Sequence, residues 1–135
     1  MRRVVISDRA GSVAVEFALV GPLMILLIIG MVVYGGWFGL AQTVQGLAAE
    51  GARAAVGGLD DAERRRLAST FVASAATEGG LRADRMAVTV QSDAQAIRVR
   101  VAYDAHDHPI LALSGLIPSP PATIVRSAAV RTGGY

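Results

Sequence analysis

Residues 17–40 of the chain are apolar side chains, glycines and one proline, with no charged group among them. At about 1.5 Å per residue the run makes a helix of about 36 Å against a hydrocarbon core of about 30 Å, which predicts one tilted membrane span. Downstream the pattern changes. The stretch AQTVQGLAAEGARAAV, 41–56, is rich in alanine, sets Glu50 and Arg53 three apart, and stops at Gly57-Gly58. This predicts that the helix continues out of the membrane as a stem. A second, short amphipathic helix is predicted over DDAERRRLASTFVASAATEGG, where Asp60 and Glu63 have capping-box spacing and Gly79-Gly80 end the pattern. Its side to be buried reads Leu67, Phe71 and Ala75.

The period then switches to two. Met86, Val88 and Val90 alternate with Ala87, Thr89 and Gln91; after SDAQ, Ile97, Val99, Val101 and Tyr103 alternate with Arg98, Arg100, Ala102 and Asp104. That is a hairpin with one apolar face. A third strand is expected over 123–132, beyond the break at Pro118, Pro120 and Pro121. The predicted class is α+β: a long N-terminal transmembrane and stem helix, a short helix, and a small antiparallel sheet of about three strands. Leu67, Phe71, Val88, Val99, Val101 and Ile124 are the expected core, and the apolar stretch 110–117, ILALSGLI, is either a lid on it or a contact surface.

Composition narrows the chemistry. With 135 residues, one helix and one compact head are all the chain can build. Its net charge is +2 and its only basic block is Arg64 to Arg66, read as a solvated helix face, so nucleic acid is an unpromising partner. Cysteine is absent, which excludes disulfides, thiol catalysis and cysteine metal sites. Asp104, His106, Asp107 and His108 could offer metal ligands but lack further spaced donors. Ser114-Gly115 has no paired His and Asp, and no glycine-rich phosphate loop occurs, so the chain reads as a non-enzyme without cofactor.

Within the apolar helix several residues stand out. Pro22 lacks an N–H and crowds the Ala18 carbonyl, and Gly35 with Gly39 makes a G-x-x-x-G pair that allows close helix approach. Glu16 lies just inside the apolar run, where a carboxylate is unfavourable, by about 2.5–3.5 kcal/mol at a bilayer centre and less near the interface. Arg2, Arg3 and Arg9 precede the span and no charge follows it until Glu50, so the positive-inside rule puts the N-terminus in the cytoplasm and the head outside.

A short basic leader ending in Gly11, then Ser12, then Glu16 as the fifth residue of an apolar helix resembles the class III signal of type IV pilins and pseudopilins. The longer wording AGSVAVEFALVGPLMILLIIG, followed by AAEGARAAVGG, is similar to the TadE-like minor pilins of the tight-adherence (Flp) pilus system, over residues 9–58. The resemblance implies cleavage between Gly11 and Ser12 by prepilin peptidase, and partners among other pilins, the inner-membrane assembly platform and membrane lipid. It divides the chain into a leader (1–11), a transmembrane helix (12–40), a stem (41–58) and an exported head (59–135). Cleavage would leave Ser12 with an ammonium one helical turn from Glu16, whose carboxylate could then meet that amine or a neighbouring subunit's. An uncut, single-pass anchor whose head binds an envelope partner is the competing reading, and a membrane-tethered hydrolase using the His106 region a third.

Overall fold

The computed structural model describes residues 9–132. Helix α1, Arg9–Ala55, runs for 47 residues through Pro22 without a break in its assignment. Helix α2 follows at Asp61–Glu78, then three strands, β1 (Met86–Ser92), β2 (Ala96–Asp104) and β3 (Thr123–Arg131). The strands form an antiparallel meander in the order β1-β2-β3. The α+β class and its elements agree with the pattern in the sequence.

Local chemistry explains the ends of α2. Asp60 is the N-cap, its Oδ1 accepting from the Glu63 N–H at 2.8 Å, while the Glu63 carboxylate accepts from the N–H of Leu59 at 2.9 Å. The reciprocal arm thus reaches one residue further back than the usual capping box. At the other end Gly80 has φ +75°, and the N–H of Leu81 donates to Ala76 O at 2.8 Å while that of Gly80 donates to Thr77 O at 3.1 Å. This is a Schellman closure with a glycine in the left-handed region and a buried Leu81 behind it.

Strand register sets the core. Val90 faces Val99 across β1 and β2, and Ile97, Val99 and Tyr103 face Val130, Ala128 and Ile124 across β2 and β3. Ile97, Val99, Val101, Tyr103 and Ile124 are buried on one sheet face, while Arg98 and Arg100 stand exposed on the other. At the hairpin, Asp93 Oδ1 accepts from the N–H groups of Gln95 and Ala96, both at 2.8 Å. Those bonds, the Gln95 one foremost, hold its carboxyl below the ordinary carboxylate range. β3 and β2 lie on α1, and β1 lies on α2, so the helix pair covers the apolar face of the sheet.

Two expectations about the core need correction. Along α2 the buried ridge is Ala68, Val72 and Ala76, one position on from Leu67, Phe71 and Ala75, which lie half-buried at its edge. Val88 is also half-buried, and Val90 takes the covered place on β1. The reason is how closely the helices approach. The stem presents Ala48, Gly51, Ala52 and Ala55, all buried, so the facing positions on α2 must be small too. A methyl carbon at Gly51 would stand 3.0 Å from Val72 Cγ2 and 3.5 Å from Val99 Cγ1. Leu67 and Phe71 are too bulky for that seam.

The stem therefore has two kinds of glycine. A Cβ at Gly46 would meet nothing within 4 Å, so Gly46→Ala should add stability by helix propensity alone, about 0.8–1 kcal/mol. Gly51→Leu should overpack the junction of α1, α2 and β2 and remove about 1–3 kcal/mol. Thermal unfolding in detergent, followed by circular dichroism, measures both; shifts of the same sign would show that the seam is looser than its geometry.

Candidate functional site

The candidate chemistry lies along α1, and the helix divides at Val33. From Arg9 to Val32 no side chain is buried; Val33 is the first that is, and from Leu40 onward one face is covered by the head. Val13, Val15, Phe17, Leu19, Leu23, Ile25, Ile28 and Met31 are all exposed, the surface expected of a helix whose surroundings are lipid or other apolar helices. This is one helix long and apolar enough to cross a membrane.

Gly11, Ser12 and Glu16 all lie in α1, with Glu16 one turn beyond Ser12. Arg9 is two turns from Glu16, about 10.5 Å along the axis, and the two form no ion pair. Among the described residues Glu16 has no ion-pair or hydrogen-bond partner, and it is exposed beside Val13, Phe17 and Val20. Arg2 and Arg3, with the rest of residues 1–8 of the expected leader, lie outside the described residues. Gly35 and Gly39 are exposed with open space at both positions, so this pair is accessible on the helix surface.

Gly36 is different. A methyl there would overlap Cδ1 and Cγ1 of Ile110, so the glycine admits the segment that follows β2. That segment forms two 3-10 turns, Pro109–Leu111 and Ser114–Leu116. Tyr34 Oη donates to Pro118 O at 2.8 Å and Trp37 Nε1 to Pro121 O at 2.8 Å, tying the proline-rich stretch to one turn of α1. Within 110–117, foreseen as a lid or a contact surface, Leu111 packs on the core as a lid does, whereas Leu113 and Leu116 are exposed.

The polar end of the head is structural in its bonding. Arg85 pairs with both Asp104 (3.1 Å) and Asp107, and His106 Nδ1 lies 2.8 Å from Asp107. His108 Nδ1 accepts from the Ile110 N–H at 3.3 Å. The His106 N–H, donated to Asp104 at 3.0 Å, lowers that carboxyl from its ordinary value, and Arg85 adds to the effect. A cleft of about 310 Å³ opens between this cluster and Gly80, but its carboxylates already have their cation. No group of three or more potential metal ligands occurs among the described residues. Ser114 Oγ donates to Leu111 O at 2.6 Å, so this hydroxyl serves the turn. Arg64, read as part of a solvated face, bends back, its Nε donating to Gly58 O at 3.1 Å.

A known family is similar to the chain over this same helix. Residues 11–53 match the family model described as TadE-like protein. The N-terminal helix is similar to that of TadE-like proteins. The match bears out the resemblance read from the sequence, beginning at Gly11 and ending in the stem, about a third of the chain. The likeness is thus to a family of Tad pilus-related function, and it lies within α1. No curated protein and no solved structure matches the chain. The fold of the head rests on its own geometry. The loop contacts of Tyr34, Gly36 and Trp37 escaped sequence reasoning; the signal was there, as two aromatic residues with polar tips late in a run that otherwise needs none.

Gly36→Val should push Ile110 off α1 and loosen the loop, whereas Gly35→Val, with nothing near its Cβ, should not. Trp37 is the single tryptophan, so its emission reads the change directly. A red shift is expected for the first variant only; identical spectra for both would mean that Ile110 does not lean on the helix.

Proposed function

We propose that this chain is a minor pilin or pseudopilin of the tight-adherence pilus. It sits in the bacterial inner membrane with its N-terminus in the cytoplasm and its head exported, is cut by prepilin peptidase between Gly11 and Ser12, and then joins other pilins on the assembly platform. One observation carries the reading: Glu16 is the only charge on α1 between Arg9 and Glu50, and it lacks a partner among the described residues. A family match that starts at Gly11 supports it, as do the three arginines ahead of the span.

Once the Gly11–Ser12 bond is hydrolysed, water supplies a carboxylate to Gly11 and an ammonium to Ser12. The ammonium and the Glu16 carboxylate lie at i and i+4, on one face. In apolar surroundings each charge is strongly disfavoured alone and attracted to the other, so cleavage turns an unmatched acid into half of a pair, within the subunit or between subunits. Membrane depth thereby makes assembly conditional on processing.

The mature chain should begin at Ser12, and Gly11→Val should leave the long form, because a branched side chain obstructs approach to the scissile bond. Mass and N-terminal sequence of protein from cells with active peptidase decide the matter; Met1 to Gly11 still attached would reduce the chain to an uncut anchor.

Glu16→Ala and Glu16→Gln should both insert and both be cut, but should be recovered poorly with sheared pili or crosslinked pilins at equal membrane levels. An ammonium left without its acid in an apolar site costs about 3 kcal/mol. The Gln variant keeps size and hydrogen bonding, so its failure isolates charge as the cause. Recovery of both variants at the native level would make Glu16 a tolerated interfacial acid.

A further inference from the structure

Beyond Leu40 four large apolar side chains stand exposed among the described residues, and two of them, Leu113 (45% exposed) and Leu116 (62%), belong to the loop held against α1. The loop and its flanks, PILALSGLIPSPPATIV, carry no charge, although Asp107 precedes them and Arg126 follows. Their axial position is fixed by Ile110 on Gly36 and by the hydrogen bonds of Tyr34 and Trp37. Counted back from Val33 at about 1.5 Å per residue, a hydrocarbon core of about 30 Å ends near Val13, which is the stretch of α1 that the head leaves bare. The loop is therefore held where the helix leaves the bilayer.

The neighbouring side chains fit that depth. Tyrosine and tryptophan gather at the boundary between acyl chains and headgroups, and Tyr34 and Trp37 are the loop's two anchors. Arg126, facing inward from the sheet edge, lies 5.9 Å from the centroid of the Trp37 ring, a cation at the level of anionic headgroups. The other two exposed apolar residues, Val56 and Leu59, stand at the far end of the stem, some twenty residues or about 30 Å beyond Gly36.

We propose that Leu113 and Leu116 are embedded in the lipid interface on the exit side of the span, giving the head a second hold on the membrane. Lipid is the occupant because the loop is pinned beside the helix at the depth where the chain already meets headgroups. The proposal rests on the single-pass reading above and adds to it a lipid-contacting surface on the head.

Because the chain has no cysteine, single-cysteine variants of the full chain report each position separately. Leu113→Cys, Leu116→Cys, Leu59→Cys and Ile25→Cys, all at exposed positions, are labelled with an environment-sensitive fluorophore. Each is reconstituted into phosphatidylcholine and phosphatidylglycerol vesicles, with and without a nitroxide lipid, at a high and a low protein-to-lipid ratio. Labels at 113 and 116 should emit to the blue of the label at 59 and lose intensity to the nitroxide at both ratios, as the label at 25 does. Water-like emission at 113 and 116 with a lipid-like signal at 25 overturns the loop contact and leaves the span standing. Water-like emission at 25 overturns both. A blue shift at 113 and 116 that escapes the nitroxide and vanishes on dilution in lipid assigns the loop to a second copy of the chain, and also overturns the proposal.

Discussion

A single α-helix of 47 residues has to satisfy two surroundings at once, and the rest of the molecule is arranged around that constraint. Over its first half every direction around the axis is open, and large aliphatic side chains are tolerable on all sides only where the solvent is itself apolar. Over its second half the same helix must form one wall of a small head, and there the covered side chains shrink from Leu40, Val44 and Leu47 to alanine and glycine at its end. Shrinkage lets α2 and β2 come close enough to enclose a core with few large residues. Ile97, Val99, Val101 and Ile124 fill it from the sheet side, where β-branched side chains fit the pleat. A bulkier stem would hold the sheet away and leave those residues half wet.

Much of this was legible in the sequence because the periods are clean. Alternation from Met86 to Tyr103 specified a hairpin with one buried face, and Gly57-Gly58 and Gly79-Gly80 marked where helices stop. What escaped was a choice between adjacent faces of α2. Hydrophobic size favoured Leu67 and Phe71 for the interior, but the interior was set by clearance to Gly51, and clearance belongs to the partner helix, which a local pattern does not contain. The loop was ambiguous for a related reason. ILALSGLI has apolar residues for two surfaces, and only the contacts at Gly36 and Tyr34 sort Ile110 and Leu111 inward from Leu113 and Leu116 outward.

The candidate assembly site shows the opposite balance. Gly11, Ser12 and Glu16 were conspicuous in the sequence, as spacing and as an acid out of place, while the folded chain adds only that they lie together on α1. The physics explains why. On the proposed reading, the complement of Glu16 arrives from cleavage or from another subunit, so the acid makes no contact within its own fold and its logic is carried by chemistry and position along the axis. The TadE-like match runs over this helix and stops in the stem.

Tyr34 and Trp37 have a geometric effect beyond holding a loop. Two bonds from one turn of α1 to the proline segment, with Ile110 seated on Gly36 between them, fix the azimuth of the helix relative to the sheet. Gly35 and Gly39 consequently point along one set bearing as seen down the rod, offset from Gly36 by the helical screw. A neighbouring helix that used this small-residue surface would meet a subunit whose head is already oriented, and the rotation from one subunit to the next would be written in a single chain's internal bonds.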